Sequence, residues 1–351
     1  MSDETRLWDY GRHADRRPLL IARNAIKEAI RRHLAADGFV EVETACLQVS
    51  PGNEAHLHAF ETCYRTEGGQ SAPFYLHTSP EFAMKKLLAA GEQRIFTFAP
   101  CFRNGEMSRL HTPEFAMLEW YRVGGSYYDL MADCAEFARI AAVVTGRAQW
   151  HFDGLSSDVS KPFATVSLEQ AFAQYAKLDL AATIGDGGPD LDAMRSAAEQ
   201  IGVRVASDDT WSDLFSRILT QHVEPHLGDD TLTMLIEYPL HEAALARPLA
   251  GRPRHAERFE MYACGVELAN GFGELTDADE QRRRFEAEMA EKKRIYGRRY
   301  PIDEDFLAAL SHMPPAAGCA LGFDRLVMLA TGAPDVASVQ WAPVALPSAR
   351  A

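Results

Sequence analysis

The chain has 351 residues, of which 47% are hydrophobic and 25% charged, a composition typical of a globular protein with one large or two small domains. Asp and Glu outnumber Lys and Arg by 50 to 36, which gives a formal net charge of −14. No Lys- or Arg-rich segment stands out. This acidity argues against a broad nucleic-acid-binding surface, although it is equally compatible with a role in solubility alone.

The sequence also lacks features of a membrane or secreted protein. No apolar run approaches the roughly 20 residues that span a bilayer, and Met1-Ser2-Asp3-Glu4 is a polar start with no apolar segment behind it. The six cysteines are widely spaced, without a Cys-x-x-Cys pair. We therefore expect a cytoplasmic protein with reduced thiols, no zinc knuckle and no membrane partner.

Hydrophobic periodicity and capping residues predict the elements of the N-terminal part. Gly38 ends a long amphipathic pattern, and Ser79-Pro80-Glu81 has the hydroxyl, proline and acid that favour a helix start. In chain order, we predict a helix at 19–36, a strand at 39–42, a helix from 81 to about 90, strands at 94–103 and 114–123, and a helix at 126–144.

The segment 145–230 differs in character, with a Gly/Pro/Asp cluster from Gly185 to Pro189. Weakly amphipathic helices are predicted there at 167–176, 190–200 and 210–225. We interpret 145–230 as a helical insertion in a single catalytic domain that spans 1–351. After it we predict strands at 231–238 and 256–273, helices at 277–296 and 323–331, and an irregular tail from Pro334. Strands separated by long helices predict an α+β fold with an antiparallel or mixed sheet flanked by helices.

Two arginine-containing motifs, about 220 residues apart, carry the functional signal. The first contains Arg103 in Phe102-Arg103-Asn104, and continues through His111–Phe115 and Met117–Tyr121. The second contains Arg325 in the run Gly318–Leu326. Arginine suits phosphate binding because its planar guanidinium gives two hydrogen bonds and stays protonated. Together the motifs resemble motifs 2 and 3 of class II aminoacyl-tRNA synthetases, and the lysyl-tRNA synthetase branch fits best.

This resemblance implies that the protein activates a carboxylate with ATP. Arg103 would hold the α-phosphate and the acyl carboxylate, and Arg325 would stack on adenine or bind the γ-phosphate from the start of its helix. Both arginines are the implied catalytic residues. Further ATP contacts are implied for Asn104, Gly105, Thr112, Glu267, Leu268 and Gly322.

A carboxylate pair in the segment Glu257–Glu274 suggests magnesium. A hairpin with a two-residue loop near Ala263–Gly265 places Glu260 and Glu267 on the same face of the sheet. Two carboxylates there are natural Mg²⁺ ligands when phosphate oxygens complete the shell, although the pair by itself is also compatible with exposed strand acids. The resemblance assigns Mg²⁺ to these two glutamates.

The substrate pocket is expected to be acidic. Strand alternation puts Glu119 and Tyr121 on one face, and several buried acids suit a substrate with two ammonium groups, such as lysine or a β-lysine isomer. The resemblance assigns substrate binding to Ser79, Pro80, Glu81, Tyr121, Glu274 and Ala320. Ala320 stands where the tRNA synthetases usually have Gly, and its methyl group would reshape the pocket toward a β-amino acid.

The motif 1 region, Gly38–Thr44, begins after only 37 residues, which leaves no room for an anticodon-binding OB-fold domain. The chain thus resembles a freestanding catalytic core, the architecture of the elongation factor P lysine ligases, which lysylate a protein lysine instead of tRNA. The resemblance implies ATP and Mg²⁺ as cofactors, elongation factor P and lysine or β-lysine as partners, no tRNA, and a homodimer.

Three positions depart from the family pattern. Ala45 replaces the proline that ends motif 1 at the dimer interface, Gly105 replaces the motif 2 glutamate although Glu106 follows, and Thr112 stands where Asn is typical. Two alternatives therefore stay open. One is a minimal synthetase-like ligase with another acceptor, and the other is a catalytically silent, synthetase-like regulatory or binding subunit.

Overall fold

The structure, a computed structural model, describes residues 9–185 and 188–345. Its helices are α1 (Tyr10–Ala36), α2 (Glu81–Ala89), α3 (Tyr127–Thr145), α4 (Leu168–Ala171), α5 (Leu191–Gln200), α6 (Trp211–Ile218), α7 (Ala278–Tyr296), α8 (Glu304–Leu310) and α9 (Phe323–Thr331). Its strands are β1 (Val40–Glu41), β2 (Leu47–Gln48), β3 (Glu61–Arg65), β4 (Ser71–Leu76), β5 (Arg94–Phe102), β6 (Glu114–Val123), β7 (Gln149–Phe152), β8 (Leu155–Asp158), β9 (Ala164–Ser167), β10 (Ile184–Gly185), β11 (Gly188–Pro189), β12 (Thr233–Ile236), β13 (Pro248–Leu249), β14 (Arg252–Ala256), β15 (Arg258–Ala263), β16 (Val266–Gly273) and β17 (Ala316–Gly322).

The chain folds into two compact units. The first comprises the residues up to Gly125, 140–147 and those from Thr276 onward, and the second comprises 126–139 and 148–275. The segment that we interpreted as a helical insertion lies mainly in the second unit, where it holds β7, β8 and β9 as well as helices.

In the first unit, β5 is the centre of a mixed sheet. It pairs parallel with β1 and antiparallel with β6, and β6 pairs antiparallel with β17. Helix α1 buries the apolar stripe Leu20, Ile26, Ile30 and Leu34. Helices α2 and α8 meet through Phe82 and Phe306, whose rings stack with centroids 4.1 Å apart. Strand β6, which carries Glu119 and Tyr121, thus lies between β5 and β17 in this sheet.

In the second unit, β15 pairs antiparallel with both β16 and β12, and β12 pairs parallel with β9. The helices of this unit pack around a separate apolar core, in which the rings of Phe172 and Phe215 stack at 5.4 Å. Trp211 stacks on Phe215 and donates its indole N–H to the Thr183 carbonyl at 3.0 Å. This core supports the sheet that carries Glu260 and Glu267.

The elements agree with the predicted α+β architecture, with informative differences. Helix α1 begins at Tyr10 rather than residue 19, because the Asp9 side chain caps it by accepting from Arg12 N at 3.1 Å. The helix includes Pro18 in its interior. Strand β17 was missed since Ala316–Gly322 is rich in small residues with low strand propensity, and pairing with β6 makes it a strand. Helix α8 and the short sheet β2–β4–β3 were also missed.

Candidate active site

Arg103 follows β5 directly and presents a buried donor. Its backbone N–H donates to the Pro113 carbonyl at 2.9 Å, and its guanidinium lies 5.2 Å from the centroid of the Phe115 ring. The Nε atom is buried and has no hydrogen-bond partner among the described residues. Because a buried N–H without an acceptor is costly, Arg103 Nε is a candidate donor to an anionic ligand.

The motif 2 loop after Arg103 is anchored at both ends. Asn104 donates its backbone N–H to the His58 carbonyl at 2.7 Å, and Gly105 has φ of +88°, a left-handed conformation that favours glycine. Thr112 is buried, and its hydroxyl donates to the Glu114 carbonyl at 2.8 Å while accepting from Gln340 at 2.9 Å. The hydroxyl of Thr112 is thus used within the fold, and its contact with ATP stays a prediction.

Arg325 brings the second motif onto the first. It lies in the first turn of α9, after Gly322, which is both the end of β17 and the helix N-cap. Its Nε donates to the Leu110 carbonyl at 3.2 Å and its Nη2 to His111 Nε2 at 2.7 Å. Burial and the Arg325 charge lower the pKa of His111. The two motifs, distant in sequence, therefore meet in the first unit, with a neutral imidazole between them.

The ring of His111 is oriented by its partners. Arginine can only donate, so Nε2 of His111 is the acceptor, and Nδ1 carries the proton and donates to Ser108 Oγ, 2.8 Å away. Glu106 opposes the lowering of the pKa of both His58 and His111, so this acid lies near the loop. Glu106 is therefore close to the position where Gly105 lacks the motif 2 carboxylate.

Glu119 is the centre of a polar cluster on β6. It is buried, and its carboxylate accepts from Ser79 Oγ at 2.6 Å and from the Tyr121 hydroxyl at 2.7 Å. Burial, reinforced by the charge of Glu81, raises the pKa of Glu119 to about 8. A nearby cation would favour the ionised form, so the cluster suits an ammonium group.

Glu81 and Pro80 begin α2 next to this cluster. Pro80 is the N-cap residue, and Ser79 Oγ accepts from the Glu81 N–H at 3.2 Å. The Glu81 carboxylate forms an ion pair of 2.5 Å with Lys85, whose side chain is almost completely buried. Glu81 thus already has a cationic partner within the fold. Sequence reasoning missed Lys85, although its position four residues after Glu81 on a helix is a recognisable pairing signal.

Ala320 lies directly opposite Glu119. The register of β17 and β6 pairs these two residues, and β5 places Thr97 opposite Glu119 on the other side. Directly paired residues project from the same face of a sheet, so the methyl group of Ala320 and the carboxylate of Glu119 share one face. Ala320 is partly exposed, whereas Glu119 is buried.

In the second unit, β15 and β16 form the predicted hairpin. Cys264 and Gly265 have φ of 51° and 72°, as in a two-residue type I′ turn. Tyr262 pairs with Glu267, so Glu260 and Glu267 share a face as expected. A register shift then leaves Leu268 without a Cα partner on β15, which is a β-bulge.

The carboxylate of Glu260 accepts hydrogen bonds from several side chains. Its carboxylate accepts from the hydroxyls of Tyr238 and Tyr262, both at 2.6 Å, and from Arg258 Nη2 at 2.6 Å. Arg258 also lies over the Tyr238 ring, 4.2 Å from its centroid. These donors hold Glu260 in a fixed orientation and balance its charge.

Glu224 is an acid that sequence reasoning missed. It opens the 3-10 helix Glu224–His226, and its Oε1 accepts weakly from the Tyr262 hydroxyl at 3.3 Å. Burial raises the pKa of Glu224 to about 7, and Glu260 and Glu267 add to the shift. Nothing in the sequence pattern of this region distinguished Glu224 from its neighbours. Over residues 9–185 and 188–345, no group of three or more His, Cys, Asp or Glu stands ready to hold a metal ion.

Glu274 follows β16 and is buried in the second unit. It forms an isolated β-bridge with Ala246. Two backbone hydrogen bonds fix the chain on either side of it: Arg247 N donates to the Gly273 carbonyl at 2.8 Å, and Leu275 N donates to the Leu245 carbonyl at 3.0 Å.

The predicted site residues form two groups, one in each unit. The first unit holds Ser79, Pro80, Glu81, Arg103, Asn104, Gly105, Thr112, Tyr121, Ala320, Gly322 and Arg325, and the second holds Glu260, Glu267, Leu268 and Glu274.

Comparison with known proteins decides the family. The family model described as tRNA synthetases class II (D, K and N) matches residues 2–345. The chain belongs to this family. Proteins named elongation factor P–(R)-β-lysine ligase from Salmonella dublin, Salmonella arizonae and Salmonella paratyphi B are each 39% identical over 328 residues, which is 92% of this chain and 94% of theirs. The predicted class II synthetase fold is confirmed. None of the described helices is long and apolar enough to cross a membrane.

Proposed function

We propose that this protein uses ATP to activate (R)-β-lysine or lysine, and transfers the aminoacyl group to a specific lysine of elongation factor P. The carrying observation is the contact of Arg325 with His111 and Leu110, which joins the two arginine motifs beside the buried Nε donor of Arg103. The likeness to the Salmonella ligases supports the identity of both substrates.

In the first step, a carboxylate oxygen of the amino acid attacks the α-phosphorus of ATP, and pyrophosphate leaves to give an aminoacyl adenylate. Arg103 binds the developing negative charge at the α-phosphate, because its buried Nε donor is directed by a fixed backbone. Arg325 binds the triphosphate or adenine from the start of α9, next to its N-cap residue Gly322. Asn104 and Gly105 add contacts to ATP from the motif 2 loop. Thr112 and Leu268 add contacts to ATP.

In the second step, the amine of the acceptor lysine attacks the adenylate carbonyl, and AMP leaves. The amino-acid substrate is held by its ammonium groups. Ser79, Glu119 and Tyr121 form one hydrogen-bonded unit for this purpose, with Pro80, Glu81 and Ala320 beside it. Glu274 supplies a further buried carboxylate in the second unit.

Mg²⁺ would be held by Glu267 and Glu260, where it neutralises phosphate charge. The hairpin register supports this assignment, because it puts both carboxylates on one face of the sheet, and carboxylate oxygens are the ligands that Mg²⁺ prefers. Glu260 already accepts from Arg258 and two tyrosines, so Glu267 is the principal ligand and Glu260 the second.

We further propose a cytoplasmic homodimer that does not act on tRNA. The six cysteines, all in the described part of the chain, form no disulfide with one another, as suits a reducing compartment. Val40 and Leu47, in and just after the motif 1 region, are 53% and 51% exposed and offer apolar area for a two-fold contact. A monomer mass by light scattering at micromolar protein would contradict the dimer.

The decisive experiment is ATP–pyrophosphate exchange with (R)-β-lysine, with lysine, and with glutamate as the control amino acid. Exchange with either lysine isomer supports the proposal. Transfer is then measured to elongation factor P, to a variant of it in which the acceptor lysine is replaced by arginine, and to tRNA. No exchange with any amino acid favours the silent subunit, and exchange without transfer to elongation factor P favours a ligase with another acceptor.

The silent alternative rests on Gly105, which lacks the motif 2 carboxylate. Glu106 counts against it, because this acid directly follows Gly105 and its charge opposes the lowering of the pKa of both His58 and His111. A carboxylate therefore remains at the loop even though its sequence position has shifted by one residue.

A further inference from the structure

The segment Pro334–Gln340, after the second motif, is held at several points against other parts of the first unit. Asp335 caps its 3-10 helix Val336–Val339 by accepting from Ser338 N at 2.8 Å. Arg16 of α1 donates to the carbonyls of Ser338 and Ala337, both at 3.2 Å. Arg109 of the motif 2 loop donates to the Pro334 carbonyl at 3.2 Å, and its own carbonyl accepts from Val336 N at 2.9 Å. The segment is thus fixed where it meets the loop.

Gln340, at the end of this segment, points its amide into a cluster of acceptors. Its Nε2 lies 2.7 Å from Asp324 Oδ2, 2.9 Å from Thr112 Oγ1 and 3.1 Å from the Glu114 carbonyl. The hydroxyl proton of Thr112 is already donated to Glu114. Carboxylate, carbonyl and this hydroxyl can only accept here, so the atom facing them must be the amide nitrogen.

The three acceptors adjoin the two catalytic arginines. Pro113, between Thr112 and Glu114, accepts the backbone N–H of Arg103 at 2.9 Å. Asp324 directly precedes Arg325, and its Oδ2 also accepts from Ala116 N at 3.1 Å. One buried amide therefore connects the strand that follows the motif 2 loop to the helix that carries the second arginine.

We propose that Gln340 is a positioning residue for ATP: its amide sets the relative placement of Arg103 and Arg325, and hence the affinity of the site for the triphosphate. This inference rests on the proposed function. Asp324 is also ion-paired with Arg23 of α1, so the carboxylate keeps a charged partner when Gln340 is changed. We therefore expect a change at Gln340 to misplace Arg103 and Arg325 relative to each other without unfolding the protein.

The test uses Gln340→Met, which keeps the length of the side chain and removes its hydrogen bonds. The matched control is Gln93→Met, at an exposed glutamine whose amide donates only to the Gly91 carbonyl at 3.0 Å. We expect the KM for ATP in pyrophosphate exchange to rise about tenfold in Gln340→Met, because buried hydrogen bonds that align the phosphate ligands are lost. The KM for the amino acid should rise by less, because its ammonium groups are held separately at the Glu119 cluster, and the control should match wild type.

Hydrogen exchange gives a readout without activity. The Arg103 and Ala116 amides, which donate to Pro113 and Asp324, should exchange faster in Gln340→Met, and the amides of α2 should not. If Gln340→Met does not fold, Gln340→Asn keeps the amide but shortens its reach and should give the same changes. An unchanged KM for ATP beside an active wild type, or unchanged exchange at both amides, overturns the inference. A wild type without pyrophosphate exchange removes the proposed function and leaves the hydrogen-exchange result to decide the placement.

Discussion

Arg325 donates to Nε2 of His111 across 2.7 Å, although the two residues belong to motifs more than two hundred positions apart in the sequence. The contact fixes the imidazole tautomer and leaves His111 neutral, with a lowered pKa. It also fixes the orientation of the Arg325 guanidinium within the fold. Preorganised donors of this kind stabilise charge without rearranging during the reaction.

We therefore expect Arg325→Ala to abolish pyrophosphate exchange while the protein stays folded. Loss of a charged contact to the triphosphate costs on the order of 3 kcal/mol or more, so kcat/KM should fall by at least about 100-fold. Arg32→Ala is the matched control, because that side chain is 74% exposed and makes only a 3.9 Å contact with Glu28. Exchange near the wild-type level in Arg325→Ala would remove Arg325 from the ATP site.

Glu119→Gln should change how stability depends on pH. The folded protein raises the pKa of Glu119 from its ordinary value of 4.5 to about 8, so the folded state holds a proton that the unfolded chain releases. This contribution to stability is complete below pH 4.5 and is lost as the pH rises toward 8, by at most about 1.4 kcal/mol per pH unit. Glutamine does not titrate, so it escapes this loss.

The measurement is the melting temperature of wild type and Glu119→Gln at pH 5 and pH 8. The melting temperature of the variant minus that of wild type should be more positive at pH 8 than at pH 5. Glu92→Gln, at an exposed position, is the control and should show no such difference between the two pH values. The same variant should bind the amino acid more weakly, since a neutral amide attracts ammonium less than a carboxylate does. Equal differences at both pH values would show that Glu119 is ionised in the fold.

Glu267→Gln tests the magnesium site. If Glu267 is the principal ligand, the Mg²⁺ concentration that supports half-maximal pyrophosphate exchange should rise at least about tenfold, because an amide oxygen is a weaker ligand for a hard cation. Glu199→Gln, an exposed acid of the same unit, is the control. An unchanged Mg²⁺ dependence would move the assignment to Glu224 or Glu260.

The sequence predicted the parts of the site that obey local rules. The strands at 94–103 and 114–123 appear as β5 and β6, and the two-residue turn of the hairpin was enough to put Glu260 and Glu267 on one face. The class II synthetase family was predicted correctly from the two arginine motifs. The roles of the individual site residues stay predictions.

What the sequence did not predict depends on contacts between distant segments. Strand β17 forms because β6 offers it a partner, not because Ala316–Gly322 favours a strand. Gln340 lies in what looked like an irregular tail, and only the fold brings its amide to Thr112 and Asp324. Glu224 likewise becomes important through Tyr262, which contacts both Glu224 and Glu260. Such contacts between distant residues leave no periodicity or motif in the sequence.

Ala320→Gly tests the choice between the lysine isomers. Ala320 pairs directly with Glu119, so its methyl group projects from the same face as the carboxylate. The amine nearer to the carboxylate moves by about one bond length between α- and β-lysine. If Arg103 holds the carboxylate as proposed, the methyl group would crowd one position of this amine more than the other.

We expect wild type to prefer β-lysine, and Ala320→Gly to shift the ratio of kcat/KM values toward α-lysine. A methyl-sized feature typically discriminates by about 1–3 kcal/mol, which corresponds to a 10- to 200-fold change in this ratio. Ala317→Gly, on the opposite face of β17, controls for the loss of strand stability that glycine brings. It should lower the melting temperature and leave the isomer ratio unchanged. If Ala320→Gly and wild type have equal ratios, the selectivity belongs to the side of the pocket formed by Glu81 and Tyr121.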